Sequence, residues 1–431
     1  MAGRDPPVLG FELNQSTNNK QRQKYLRTRA ITAPWQLNGS ERTDFRAAVV
    51  IPALTESQSL PQTLASLATN PAEALQQTLI AIVANNRVDV SADQLQDNQQ
   101  TLAWLQTKPF PQLNLAWVDA SSAGLELPAK EGVGLARKIG FDLSLSFLDW
   151  TKQPLLISLD ADTLVDQNYL PVIFEHFRLS QKGGAVVPFR HQSAFCSQQE
   201  TAIRHYELYL RSYVFGLQQA GSPYAYHSIG SIIACRAAAY VNAGGMNRRR
   251  AAEDFYFLQQ LAKTSGIEPL AGTVVRPSAR FSDRVPFGTG KAVRGQVEEG
   301  RQFFKFISVD SFTFLKAWFE LVENAWNLAA ENLLQRAAEI SSVLQVFLLQ
   351  LDFSTVWGRL QRNYATRQQR LAAFHLWFDG LRTRQLLMQL EADKDSSVDE
   401  LVDELLEWGG FSVIRDCSEQ LALLESRQGV K

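Results

Sequence analysis

Two carboxylates one residue apart, Asp160 and Asp162, close the apolar run Pro154-Leu155-Leu156-Ile157-Ser158-Leu159. Leu155, Leu156, Ile157, Leu159 and Ala161 outnumber the polar residues there, which predicts a strand buried on both faces. Burying an unpaired carboxylate is costly, so charges at the end of such a strand need a cation. A divalent metal ion at the carboxyl end of a central strand meets that need, at the edge where open α/β sheets hold ligands. The chain carries its own control. Asp393-Lys394-Asp395 has the same spacing, but it lies in the acidic, polar stretch 391–397 and reads as a solvated linker.

Other charged groups stand at places where chemistry is possible. Glu253-Asp254 opens a predicted helix, where acids are favoured by the backbone dipoles whether or not they react. Lys130 and Arg137 flank a helix start containing Gly132 and Gly134, which permit close backbone approach. Arg276, Arg280, Asp283 and Arg284 precede Gly288-Thr289-Gly290, a spacing that gives a loop hinge freedom. Arg248-Arg249-Arg250 reads first as a solvated charge run balanced by the acidic pair, and second as a site for an anionic acceptor. His227 and Ser228 lie on a predicted loop, and a lone histidine is more often structural than catalytic.

The elements that must position these groups alternate. Phe45 to Pro52 is a strand of β-formers stopped by proline. Ser59 caps a helix with Leu60, Leu64 and Leu67 on one face. A second strand, Thr78 to Val83, ends at Asn85-Asn86-Arg87, and a third runs from Leu113 to Val118. After the Asp160 strand comes a helix with Leu170, Ile173, Phe174 and Phe177 on one face, then a short strand near Gly183. Strand-helix alternation predicts an α/β fold with a mostly parallel sheet flanked by helices. From about residue 300 the pattern is helical, with three apolar stripes: Leu315, Trp318, Phe319, Val322, Trp326; Leu371, Phe374, Trp377, Phe378, Leu381; and Val398, Leu401, Val402, Leu405. The expected organisation is an N-terminal extension over 1–45, an α/β domain over 46–298, and a helical region over 299–431. The extension is polar, with a basic stretch at Lys20, Arg22, Lys24, Arg27 and Arg29, and shows no core pattern.

Composition narrows the partners. A net charge of -1 over 431 residues gives no basic bias toward nucleic acid. Three widely spaced cysteines form neither a disulfide framework nor a zinc site and suit a reducing compartment. There is no signal-peptide pattern, and the apolar tract Val343 to Phe353 is too short and too polar to span a bilayer. The expectation is a cytoplasmic protein without a transmembrane segment. The helical region is a candidate homodimer interface, cleft cover or membrane-surface contact, although its stripes read first as core.

Four stretches in order, "VVIPALTE", "KEGVGLARKIG", "LISLDADT" and "GSIIACRAAAYVNAGGMNRRRAAEDFYFLQQL", resemble family 2 glycosyltransferases of the GT-A fold over about residues 46–295. The resemblance implies transfer of a sugar from a nucleotide-diphosphate donor to an acceptor hydroxyl with Mg²⁺ or Mn²⁺. By resemblance, Asp160 faces the donor's sugar or ribose and Asp162 ligates the metal. Pro52, Ala53 and Glu56 cradle the nucleoside, and Lys130 and Arg137 reach the base or diphosphate. Asp254 is the general base of an inverting reaction, with Glu253 orienting it. Asn85 stands where members usually carry an acidic base-binding residue. Arg280 and Arg284 close over the diphosphate as bidentate donors. No histidine occurs between His227 and His375 to complete the metal shell, which leaves Asp283 as the candidate. Two other readings compete. A nucleotidyltransferase requires a Gly-rich phosphate loop with a basic residue after the first strand, where Pro52-Ala53-Leu54-Thr55-Glu56 has neither. A non-catalytic nucleotide-sugar-binding scaffold is expected to have lost the carboxylates that this chain keeps.

Overall fold

The computed structural model describes residues 15–280, 294–295, 297–298, 304–392 and 398–430. Asp283 and Arg284 lie outside them, as do the control carboxylates Asp393 and Asp395. The described residues divide into an α/β unit, within 11–203, 228–301 and 427–431, and a helical unit, within 204–227 and 302–426. The helical unit thus takes in 204–227, a stretch the sequence pattern groups with the sheet.

The α/β unit is built on a seven-stranded sheet. Its strands are β1 (Ala47–Ala53), β2 (Thr78–Asn85), β3 (Asn114–Ala120), β4 (Leu155–Ser158), β6 (Gly184–Val186), β7 (Ile233–Arg236) and β8 (Ile267–Pro269), while β5 (Leu164–Val165) pairs separately with β9 (Val275–Arg276). The order is β3-β2-β1-β4-β7-β6-β8, and only β7 runs against the rest. Every residue of β1, β2 and β4 is buried, as their continuous apolar runs require. Because the connection reverses between β1 and β4, a crevice opens outside the carboxyl ends of these strands. Asp160 and Asp162 follow β4 at that crevice, in the middle of the sheet.

The helices of this part of the chain are α1 (Gln15–Thr28), α2 (Leu60–Leu67), α3 (Ala72–Gln76), α4 (Ala92–Gln106), α5 (Val133–Ser144), α6 (Tyr169–Leu179), α7 (Ser197–Gln219), α8 (Ala237–Asn242) and α9 (Glu253–Ser265). From Arg204, α7 belongs to the helical unit. Helix α5 packs on β1 and β2 through Gly140. A Cβ there would overlap Val50 Cγ1 and stand 3.0 Å from Val83 Cγ2, so the close packing of α5 on the sheet requires glycine.

Two local readings change. Ser59 precedes α2 but makes no side-chain cap bond; instead its Oγ accepts a hydrogen bond from Arg280 at 3.0 Å. The N-terminal extension, patternless in sequence, folds onto the α/β unit through single large side chains. Tyr25 and Trp35 are buried, and Asp142 on α5 accepts from Tyr25 Oη and Tyr240 Oη at 2.7 Å each and from Ile31 N at 2.8 Å. Lys138 completes this buried cluster, 2.9 Å from Asp142. Arg22 stacks over Trp150 at 4.4 Å.

In the helical unit, the stripes become a shared core. Leu315, Trp318, Phe319, Val322, Phe374, Phe378, Leu401, Val402 and Leu405 are buried together with Phe353 and Trp357. Among the described residues, no helix is long and apolar enough to cross a membrane.

The Gly140 contact is testable. Gly140→Ala should lower stability by about 1–3 kcal/mol, read as an earlier midpoint in urea unfolding. An unchanged midpoint would show that α5 lifts from β1 without cost.

Candidate active site

A cavity of about 410 Å³ opens at the carboxyl ends of β1, β2 and β4, lined entirely by the α/β unit. Pro52, Glu56, Asn85, Arg137, Asp160, Asp162, Glu253, Asp254 and Arg280 all line it. Residues as far apart in the chain as Pro52 and Arg280 thus meet in one place.

At its floor lies Arg137, which is 3 % exposed. Its Nε donates to Ser158 Oγ at 3.1 Å, and its two terminal nitrogens pair with Asp160 and with Glu253. Helix α5 delivers the guanidinium from one side, the turn after β4 delivers Asp160, and the start of α9 delivers Glu253. Gly230 makes this possible, because a Cβ at that position would overlap the guanidinium. Gly134 does the same for the loop before α9: a Cβ would stand 2.9 Å from both Asn247 O and Glu253 Cβ. The two carboxylates hold the Arg137 guanidinium charged despite its burial.

The acidic pair is set by its backbone. Ala252 adopts φ +58°, a left-handed conformation that costs a non-glycine residue about 1 kcal/mol. Asn247 Nδ2 donates to Glu253 O at 2.7 Å and fixes the same turn. Burial pushes the Glu253 carboxyl up to about 7, against the pull of Arg137, and the charges of Asp254 and Asp160 push the same way. Burial raises Asp254 as well, opposed by Arg137 and by the Phe255 N–H that Asp254 Oδ1 accepts at 2.7 Å.

A second arginine organises the opposite wall. Arg280 pairs with Asp162 at 2.8 Å, with Glu56, and with Ser59. The two carboxylates of the triplet therefore face different guanidiniums. Among the described residues, no third His, Cys, Asp or Glu joins them in a metal-sized group. This donor set does not fit an all-protein cage. It fits an ion that takes one or two carboxylates and completes its shell from a ligand's phosphates and water, the habit of Mg²⁺.

The remaining predicted residues scatter. Ala53 is buried within β1, and Lys130 is exposed before α5; neither lines the cavity. His227 belongs to the helical unit, and Ser228 is not among the lining residues. Of the arginine triplet, Arg248 pairs with Glu131 at 2.7 Å, Arg249 stacks over Tyr256 at 3.8 Å, and Arg250 lines the cavity.

Residues not singled out beforehand complete one end. Asn86, Arg87, Asp89, Val90 and Gln94 line it beside Asn85. Asn85 is buried, and its Oδ1 has no protein partner among the described residues. Asn98 on α4 holds this end together: its Nδ2 donates to Asn85 O at 3.1 Å and to Asn86 Oδ1 at 2.9 Å, while its Oδ1 accepts from Thr55 N at 2.9 Å. Ser91 and Gln94 form a capping box that starts α4, a sequence signal that could have located this helix.

No family model matches the chain, and no curated protein matches it. Solved structures similar to it include S. aureus TarS 1–349 in complex with UDP-GlcNAc, at 15 % identity over 89 % of this chain and 92 % of that one, with a TM-score of 0.38. A mannosyltransferase, PcManGT from Pyrobaculum calidifontis in complex with GDP-Man and Mn²⁺, has 16 % identity over 85 % of this chain and 97 % of that one, also at 0.38. Likeness at this level says nothing of what this chain binds.

The raised Glu253 carboxyl gives a signed pH effect. Its folded value of about 7 lies above its ordinary 4.5, so its contribution is complete below 4.5 and is lost as pH rises through 7. Relative to Glu253→Gln, the native protein should lose on the order of 1 kcal/mol per pH unit across that window. Urea unfolding of both proteins at pH 5 and pH 8 checks this; a difference independent of pH would place the carboxyl in its ordinary range.

Proposed function

We propose that this chain is a glycosyltransferase that moves a sugar from a nucleotide-diphosphate donor to an acceptor hydroxyl. One observation carries the reading: a buried arginine ties the carboxylate after β4 to the carboxylate pair at the start of α9, across one cavity. The first of these motifs suits the donor and the second suits the acceptor, and group transfer requires the two to be held at a fixed separation. The motif order that resembles family 2 supports the same reading.

In the proposed mechanism, Asp254 accepts the proton of the acceptor hydroxyl. The freed oxygen bonds to the anomeric carbon as the bond from that carbon to the diphosphate oxygen breaks. The electron pair leaves with the diphosphate, and the configuration inverts. Burial raises the proton affinity of Asp254, which favours this step near neutral pH. Glu253, fixed by Arg137 and by the Asn247 contact to its backbone, orients the acidic pair. Arg280 can exchange Asp162 for a phosphate oxygen and so hold the leaving diphosphate. Asp160 and Asp162 would hold a divalent ion, Mg²⁺ or Mn²⁺, whose chemistry is Lewis-acid stabilisation of the diphosphate. Asn85 and its neighbours would take the nucleoside.

A panel of nucleotide-sugars, tested by thermal shift with and without Mn²⁺, tests the reading, since a bound donor raises Tm by mass action. No shift with any donor would overturn it. Asp254→Asn should lose transfer by about 10²–10⁴-fold and keep donor binding. If donor affinity falls as far as turnover, Asp254 belongs to the donor site. Asp162→Asn should abolish metal-dependent turnover with the fold intact, read by circular dichroism; full activity would remove the metal assignment.

A further inference from the structure

A second cavity, of about 520 Å³, lies elsewhere on the α/β unit. Its lining includes Leu155, the first residue of β4, and Arg46, which directly precedes β1. It therefore sits at the amino ends of these strands, whereas the candidate active site sits at their carboxyl ends. Four cations line it, Arg46, Lys152, Arg178 and Arg236, and no carboxylate does.

Two of these cations have their counter-charge outside the lining: Lys152 pairs with Asp149 at 3.0 Å, and Arg178 pairs with Glu175. Arg46 also acts on the Glu175 carboxylate and helps to hold it charged, while Arg236 makes no ion pair with a carboxylate among the described residues. Arg236 is 7 % exposed, and every acceptor it meets is neutral: Gln153 Oε1 at 2.9 Å, Phe177 O at 2.6 Å, Ser180 O at 2.8 Å and Lys182 O at 3.4 Å. The carbonyls at the end of α6 orient this guanidinium without neutralising it, and burial lowers its proton affinity. Arg46 lies over the Phe174 ring at 4.5 Å. Gln153 takes a left-handed backbone, φ +50°, and its side-chain oxygen accepts from Arg236 at the cavity lip. Leu155 and Phe177 add apolar surface.

Four cations face one cavity whose lining holds no carboxylate, so an anion that enters is attracted by each of them. We propose that this cavity is an anion site, separate from the candidate active site, that takes a phosphate group between Arg46 and Arg236. The phosphate is either inorganic or carried as the monoester of a small molecule. The Arg46 fork matches the geometry of phosphate oxygens, and Arg236 adds the one N–H that its four bonds to neutral oxygens leave over.

The test is calorimetric titration of the full chain with inorganic phosphate and with glycerol phosphate, at matched ionic strength. Arg236 also holds the end of α6, so the variant of choice is Arg46→Gln with Lys152→Gln, both nearer the surface. Loss of charge-assisted bonds should weaken binding about tenfold or more in this double variant. The binding event lost in the double variant should persist in Arg280→Gln, which alters the other cavity. Tighter binding of glycerol phosphate identifies a monoester site, and tighter binding of inorganic phosphate identifies a free-phosphate site. Equal weakening in both variants, or no saturable binding by either probe, overturns the proposal.

Discussion

The candidate active site depends on one buried guanidinium. Arg137 would be costly to bury alone, and Glu253 would be costly to bury without it, while the half-buried Asp160 supplies the second counter-charge. The buried pair is tolerable because each partner offsets the other. That mutual dependence fixes three elements at once: helix α5, the end of β4 and the start of α9. It also explains the glycines around the arginine. Gly230 and Gly134 leave no side chain where the guanidinium and the loop before α9 must pass. A surface ion pair could be lost with little effect; loss of this one leaves two carboxylates facing a cavity with no buried cation beneath them.

Much of this was legible in the sequence, for a physical reason. Strands buried on both faces write themselves as unbroken apolar runs, so β1, β2 and β4 and the carboxylates after β4 could be placed directly. The acidic pair at the start of α9 was equally plain. Side-chain pairing was not legible. Nothing in the local pattern says that Asp160 faces Arg137 while Asp162 faces Arg280, because those contacts span the fold. Ser59 shows the same limit. Its position before α2 reads as a cap, yet the hydroxyl is used by an arginine 221 residues away. Helix α4 escaped notice because its polar, glutamine-rich face hides a thin apolar stripe, although Asn98 on it braces one end of the cavity.

The N-terminal stretch teaches a related lesson. Periodicity detects elements that bury a face, and over residues 19–28 of α1 the one buried side chain is Tyr25. Tyr25 reaches Asp142 and Lys138 on α5, on the helix that also carries Arg137. A polar segment with no core pattern is thereby fastened to the helix beneath the cavity by a cluster of hydrogen bonds. Such clusters are costly when partly satisfied and specific when complete. Asp142 accepts from three donors besides its ion pair with Lys138, so this one is well supplied.

The unpaired amide oxygen of Asn85 has a consequence for selectivity. A buried acceptor without a donor raises the free energy of the empty protein, on the order of 1–3 kcal/mol. A guest that brings an N–H or O–H to that point relieves the penalty on arrival, and a guest of the same shape without one leaves it in place. Choice between two such guests is then made less by attraction than by what each fails to mend. Asn98 fixes the backbone that carries this side chain, by its bonds to Asn85 O and Asn86 Oδ1, so the strand end presents the oxygen from a set position.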